Sequence, residues 1–142
     1  MIYTKLTKLA MGFCYDAHRN QVDKSGLPYV FHPFHLAEQM DSEEAVLVAL
    51  LHDVAEDTDY TLQDMRVMGF PESVLEALNL LTHREGEPYM DYIARIKTNP
   101  LARQVKLADL RHNSDLTRLD AVDEKTLARA EKYARAIAML EA

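Results

Sequence analysis

Within six positions the chain carries His52, Asp53, Glu56 and Asp57. One imidazole and three carboxylates this close can pass protons or share a divalent cation, which accepts both imidazole nitrogen and carboxylate oxygen. They follow an unbroken apolar run, Ala45-Val46-Leu47-Val48-Ala49-Leu50-Leu51, which suits a helix buried on nearly all sides. If that helix continues, His52 shares a face with Glu56 and Asp53 with Asp57, because residues four apart lie together. Ionisable groups at the end of a buried helix are costly unless they find partners. A metal ion is the most economical one.

Three other segments hold residues of the same kinds. His32 stands in Tyr29-Val30-Phe31-His32-Pro33, Asp109 ends Val105-Lys106-Leu107-Ala108-Asp109, and Asn113 follows Asp109 by four positions. His32, His52, Asp53 and Asp109 would form a mixed nitrogen and oxygen site. Such a set, with positions left for water, suits Mn²⁺, Fe²⁺, Co²⁺ or Zn²⁺, and the lack of thiolate counts against a purely structural zinc. A metal of this kind acidifies bound water. Glu56 or Asp57 could then act as general base, and Lys24 could neutralise phosphate.

Each residue alone has a plainer reading. Glu56 and Asp57 could be a solvated helix end, Lys24 a surface cation, and Asn113 a helix-terminus hydrogen bond. Cys14, the sole cysteine, reads as core. His18 either orients the site or closes the core. His35, His83 and His112 read as structural or exposed, and Arg19 and Arg111 as solvated.

The elements that would position these groups are helices. Leu6, Leu9, Ala10, Phe13, Cys14 and Ala17 recur at helical spacing over 3–18,. Residues 19–30 lack such a period and contain Gly26 and Pro28, so they form a loop,. A short helix spans 33–40, and Asp41 with Glu44 resembles a capping box for the apolar helix,. Thr61 and Asp64 do the same for a short helix ending at Gly69,. Pro71, Pro88 and Asn99-Pro100 can open three more,. The last, from about Asp123, turns Leu127, Ala130, Ala134, Ile137 and Leu140 inward,. The expectation is an all-α bundle of about seven helices, forming a single domain over residues 1–142.

Composition excludes several classes. A net charge of -7 and a pI of about 5.3 argue against a nucleic-acid groove or an anionic membrane surface. One cysteine allows no intrachain disulfide,. The first residues do not read as a signal peptide, and no apolar segment is long enough to span a bilayer. The expectation is a cytoplasmic protein.

Taken in order, Ala17-His18…Gln21…Lys24-Ser25-Gly26…Pro28-Tyr29…His32-Pro33, then Ala49-Leu50-Leu51-His52-Asp53…Glu56-Asp57-Thr58, then Lys106-Leu107-Ala108-Asp109…His112-Asn113 resemble the HD-domain metal-dependent phosphohydrolases. The likeness is to the hydrolase domain of the RelA/SpoT homologues, which removes the 3′-pyrophosphate from guanosine tetra- and pentaphosphate, (p)ppGpp, typically with Mn²⁺. The resemblance implies an HD-type bundle of the small stand-alone kind. It makes His32, His52, Asp53 and Asp109 metal ligands, and Glu56 and Asp57 the acidic pair that positions or deprotonates water. It makes Lys24, Ser25 and Asn113 substrate contacts. Three residues depart from the family pattern: Asn20 replaces a usual glycine, and Asp23 and Asp115 replace usual basic residues. Two carboxylates beside a phosphate-rich substrate imply weakened binding. The rivals are therefore a phosphatase or phosphodiesterase for a less charged nucleotide, and a non-catalytic nucleotide-binding module.

Overall fold

The computed structural model describes residues 1–142 as eight α-helices and one 3₁₀ turn. The helices are α1 (Lys5–Ala17), α2 (Phe31–Glu38), α3 (Glu43–Asp57), α4 (Leu62–Val67), α5 (Glu72–Leu81), α6 (Tyr89–Lys97), α7 (Pro100–Asn113) and α8 (Glu124–Glu141), with the turn at Leu116–Arg118 between α7 and α8. The only strand-like feature is an isolated bridge between Val22 and Pro28.

The apolar run becomes the axis of the bundle. Every residue from Ala45 to Val54 is buried, because α3 is covered by α1, α2, α5 and α7 on its different sides. Helix α8 lies outside this layer, across α6 and α7. All-round burial explains why α3 shows a continuous apolar run rather than a stripe.

Helix starts largely follow the expected chemistry. Thr61 and Asp64 form a reciprocal capping box, Asn99 caps α7 with Pro100 behind it, and Asp123 caps α8. At α3 the cap differs: Ser42, not Asp41, accepts the Ala45 amide, and Asp41 instead accepts from Gln104. Helix α2 begins at Phe31 rather than Pro33, so His32 lies in its first turn.

In α1 the expected face holds except at Leu9, and in α8 the face is rotated from its expected phase. Leu9 in α1 is 43% exposed, and Leu127 in α8 is 55% exposed. In α8, Thr126, Arg129 and Tyr133 turn inward to line a cavity, and Ala136 and Leu140 continue that face into the core. A polar-lined cavity leaves no hydrophobic stripe, so apolar periodicity placed the face one residue off. Leu50 and Leu127 should separate on substitution. Leu50→Ala, in the fully buried axis, should lose about 2–5 kcal/mol in urea unfolding. Leu127→Ala should change stability by no more than about 0.5 kcal/mol.

Candidate active site

Helix α3 delivers His52 and Asp53 at the edge of the core, α2 delivers His32, and α7 delivers Asp109; all four are buried. Their facing atoms form a closed ring in which imidazole and carboxylate alternate. His32 Nε2 lies 2.8 Å from Asp109 Oδ1, which is 3.8 Å from His52 Nε2. His52 Nε2 is 3.0 Å from Asp53 Oδ2, which is 3.7 Å from His32 Nε2. Ligands held about 2.0–2.2 Å from one ion are separated by roughly 2.8–3.6 Å at tetrahedral or octahedral angles, so the two short edges fit a coordination shell while the 3.7 and 3.8 Å edges, and Asp53 in particular, would have to close slightly around an ion. The atoms of His32, His52 and Asp109 all lie within 4.8 Å of one another, a group that could hold a metal ion.

The protons around the ring fit that use. His52 Nδ1 donates to the Ala49 carbonyl at 2.7 Å, which leaves its buried Nε2 without a hydrogen-bond partner. Burial alone would push His52 down, but Asp53 and Asp109 more than offset this and hold it well above its ordinary value. Without a cation, a proton on His52 offsets the carboxylates; a bound metal would displace it.

A surrounding layer fixes each member. Tyr29 donates its hydroxyl to Asp53 Oδ2 at 2.5 Å. Lys106 Nζ donates to Asp109 Oδ2 at 2.9 Å, and Asn113 Nδ2 donates to Asp109 Oδ1 at 3.1 Å. Burial would lower the Lys106 ammonium, yet Asp109 holds it well above its usual value, so it stays charged. His32 Nδ1 meets His112 Nδ1 at 2.7 Å, with the two rings edge to edge and nearly coplanar, 6° apart with centroids at 5.0 Å. Burial and the Arg118 charge push His112 down to about 4. With a metal in the ring, a neutral His112 would accept the His32 Nδ1 proton and leave the His32 Nε2 lone pair facing the ion; without one, His32 Nε2 shares a hydrogen bond with Asp109 Oδ1 at 2.8 Å. His112 was expected to be structural or exposed; it belongs to the site. His35 and His83 are exposed as expected. His18 is buried, bonds Gln21 through Nδ1 and packs beside Tyr29. Cys14 is buried, and burial followed by Asp53 raises its thiol to about 12, so it is inert core.

Glu56 and Asp57 occupy the last turn of α3 with exposed side chains. Surrounding protein nevertheless raises Glu56 to about 7; Lys106 opposes this, and Asp53 and Asp57 reinforce it. Burial and Asp53 also raise Asp57. A carboxylate that titrates near neutrality is matched to proton transfer.

A cavity of about 330 Å³ adjoins the ring through Tyr29 and Asn113. It brings Lys24, Ser25 and Asn113 together with Arg118, Arg129 and Tyr133. Burial lowers Lys24, as do the nearby Arg129 and Lys132 charges, so cations converge here despite the acidic whole. Ser25 contributes less than expected, because its hydroxyl donates to Asp23 at 2.5 Å. Asp23 also departs from expectation. One of its oxygens accepts from the Ser25 and Leu27 amides, and the other meets Arg118 Nη2 at 3.1 Å. Burial would raise its carboxyl, but the bonds from Ser25 and Leu27 and the Arg118 charge hold it below its usual range. Its charge is compensated inside the protein. Asp115 also lines the cavity and caps the 3₁₀ turn through Thr117.

Comparison with known proteins agrees with this geometry. No family model matches the chain. It is 37% identical over 113 residues to the bifunctional (p)ppGpp synthase/hydrolase SpoT of Escherichia coli K12, covering 69% of this chain and 16% of that protein. It is 31% identical over 140 residues to a probable guanosine-3′,5′-bis(diphosphate) 3′-pyrophosphohydrolase of Synechocystis, covering 87% of this chain and 18% of that protein. The chain is homologous to the SpoT-type (p)ppGpp hydrolases. It spans under a fifth of the length of these curated relatives. The fold is the HD-type helical bundle: a solved structure described as a metazoan ortholog of SpoT that hydrolyzes ppGpp superposes with TM-score 0.76 at 21% identity, over 99% of this chain and 87% of that one.

His112→Phe tests the surrounding layer. It keeps an aromatic ring at this position and removes the acceptor for His32. Affinity for a divalent metal ion, measured by calorimetry, should fall about 10–100-fold, while the helical circular dichroism is unchanged.

Proposed function

We propose that this chain is a divalent-metal-dependent pyrophosphohydrolase acting on a nucleotide, with guanosine-3′,5′-bis(diphosphate) as the specific substrate and Mn²⁺ as the metal. The observation that carries the reading is the ring of His32, His52, Asp53 and Asp109 beside a cavity with converging cations, which it meets through Tyr29 and Asn113. The relatives named for this reaction support it. No helix is long and apolar enough to cross a membrane, and the reading places the protein in the cytoplasm as a single catalytic domain.

His32, His52, Asp53 and Asp109 would hold the metal. Two imidazoles and two carboxylates suit Mn²⁺, a hard-to-borderline ion that accepts both and keeps positions for oxygen ligands. Such an ion supplies charge that acidifies water and neutralises phosphate oxygens. The protein does the rest. Tyr29, Lys106 and His112 hold the ring members in place. Glu56, poised at about 7, takes the proton from the attacking water, and Asp57 keeps that proton affinity high through its own charge. Lys24 meets substrate phosphate, and Asn113, anchored on Asp109, orients the sugar next to the ring. Ser25 shapes the loop that carries Lys24.

A second reading, a less charged nucleotide, draws on Asp115, which lines the cavity and is bonded to Thr117 rather than paired in a salt bridge. A panel of guanosine tetraphosphate, guanosine diphosphate and nucleoside monophosphates separates the two. Preference for the monophosphates would overturn the alarmone assignment.

Three results should follow. Asp109→Ala should lose bound metal and phosphohydrolase activity together, as read by elemental analysis and pyrophosphate release. Glu56→Gln should retain the metal while turnover drops roughly 10²-fold or more. Because Glu56 acts as the carboxylate and titrates near 7, wild-type kcat/KM should rise about tenfold per pH unit below that value and level off above it. That limb should vanish in Glu56→Gln. If metal and activity disappear together in Glu56→Gln, Glu56 is a ligand instead.

A further inference from the structure

The substrate cavity has a neighbour of about 330 Å³, lined by Leu27, Phe31, Phe34, His35, Glu38 and His112. Asp23 and Arg118 border both cavities, so this ion pair is the partition between them. The Arg118 guanidinium is held in its own plane from two elements. Nη2 donates to Asp23 Oδ2 at 3.1 Å, and Nη1 donates to the His112 carbonyl at 2.9 Å. Asp23 is fixed in turn by Ser25 and Leu27. The side chain of Arg118 is 22% exposed.

A guanidinium can meet a nucleotide by its edge or by its face. The edge reads phosphate through paired N–H groups, but here that edge already meets a carboxylate, which would repel phosphate. The faces remain, and a flat cation is a platform for a flat ring. Leu116 and Leu119 supply apolar wall in the same cavity. Lys24 is different in kind: exposed, flexible and a point charge, it suits phosphate.

We propose that Arg118 is a specificity-determining residue: its guanidinium face, clamped by Asp23 and the His112 carbonyl, takes the aromatic base of the substrate. The inference deepens the nucleotide reading above and rests on it. The carboxylate of Asp23 aligns this surface rather than opposing the substrate. Replacing Asp23 by arginine therefore dismantles the clamp and does not add a useful cation.

The test uses guanosine diphosphate as a base-bearing probe and inorganic pyrophosphate as a base-free one, both by calorimetry on the metal-loaded protein. Arg118→Ala should weaken guanosine diphosphate about tenfold and leave pyrophosphate within about twofold. Arg118→Lys should fail to restore the loss, because it keeps charge without a flat face. Asp23→Asn should move guanosine diphosphate the same way by releasing the clamp. Metal content and thermal midpoint are read for every variant; if Arg118→Ala does not fold, Arg118→Lys and Asp23→Asn carry the result. Restoration by lysine, an equal loss for pyrophosphate, or no binding of guanosine diphosphate by the wild type would each overturn the proposal. Hydrolysis of guanosine tetraphosphate is measured alongside. A wild type that binds guanosine diphosphate through Arg118 but hydrolyses nothing sinks the functional reading alone. Active enzyme whose guanosine diphosphate binding ignores Arg118→Ala sinks this inference alone.

Discussion

Negative charge confined at the end of a buried helix governs the rest of the structure. Asp53 and Asp109 are buried, and Glu56 and Asp57 stand beside them at the C-terminus of α3. That terminus already carries the negative end of the helix dipole, where acidic side chains are unfavourable by about 0.3–1 kcal/mol each. No basic residue occupies the last turn of α3 to offset it. A chain selected for stability alone would place lysine or arginine there. Local rules broken in this way are expected where function is built.

The neighbouring elements answer that charge. Helix α7 brings Lys106 against Asp109, and α2 brings His32 into its first turn. Tyr29, one hydroxyl's reach from Asp53, joins the loop to the same cluster. The cost of a buried uncompensated carboxylate is high enough that these partners are structural necessities as well as functional ones. A cation in the ring would complete the compensation that the His52 proton supplies in its absence.

The site was legible where its members lie close along one helix or belong to a recognisable string. His52, Asp53, Glu56 and Asp57 follow from residue type and helical spacing. His32, Lys24, Ser25, Asp109 and Asn113 came from their motif strings. The surrounding layer was not legible, because its contacts join distant positions: 24 residues for Tyr29 and Asp53, 80 for His32 and His112, and 95 for Asp23 and Arg118. Periodicity reports which face of a helix is apolar and carries no information on such pairs. The misplaced face of α8 has the same origin, since Arg129 and Tyr133 turn inward for a cavity. Asp23 was misjudged because a carboxylate read without its partner looks like an uncompensated charge.

The Asp23–Arg118 pair also limits how this pocket can change over time. Reversing either charge alone leaves a like-charged pair across the partition, and for Asp23 it also removes the anchor of the 23–27 turn. A lineage moving to another base preference must therefore alter two codons far apart in the gene, passing through an impaired intermediate. The ring around His52 meets this pair only through His112, whose carbonyl accepts from Arg118 and whose imidazole meets His32. On the proposed reading, base preference would drift slowly, in paired steps, with little change to the metal ligands themselves.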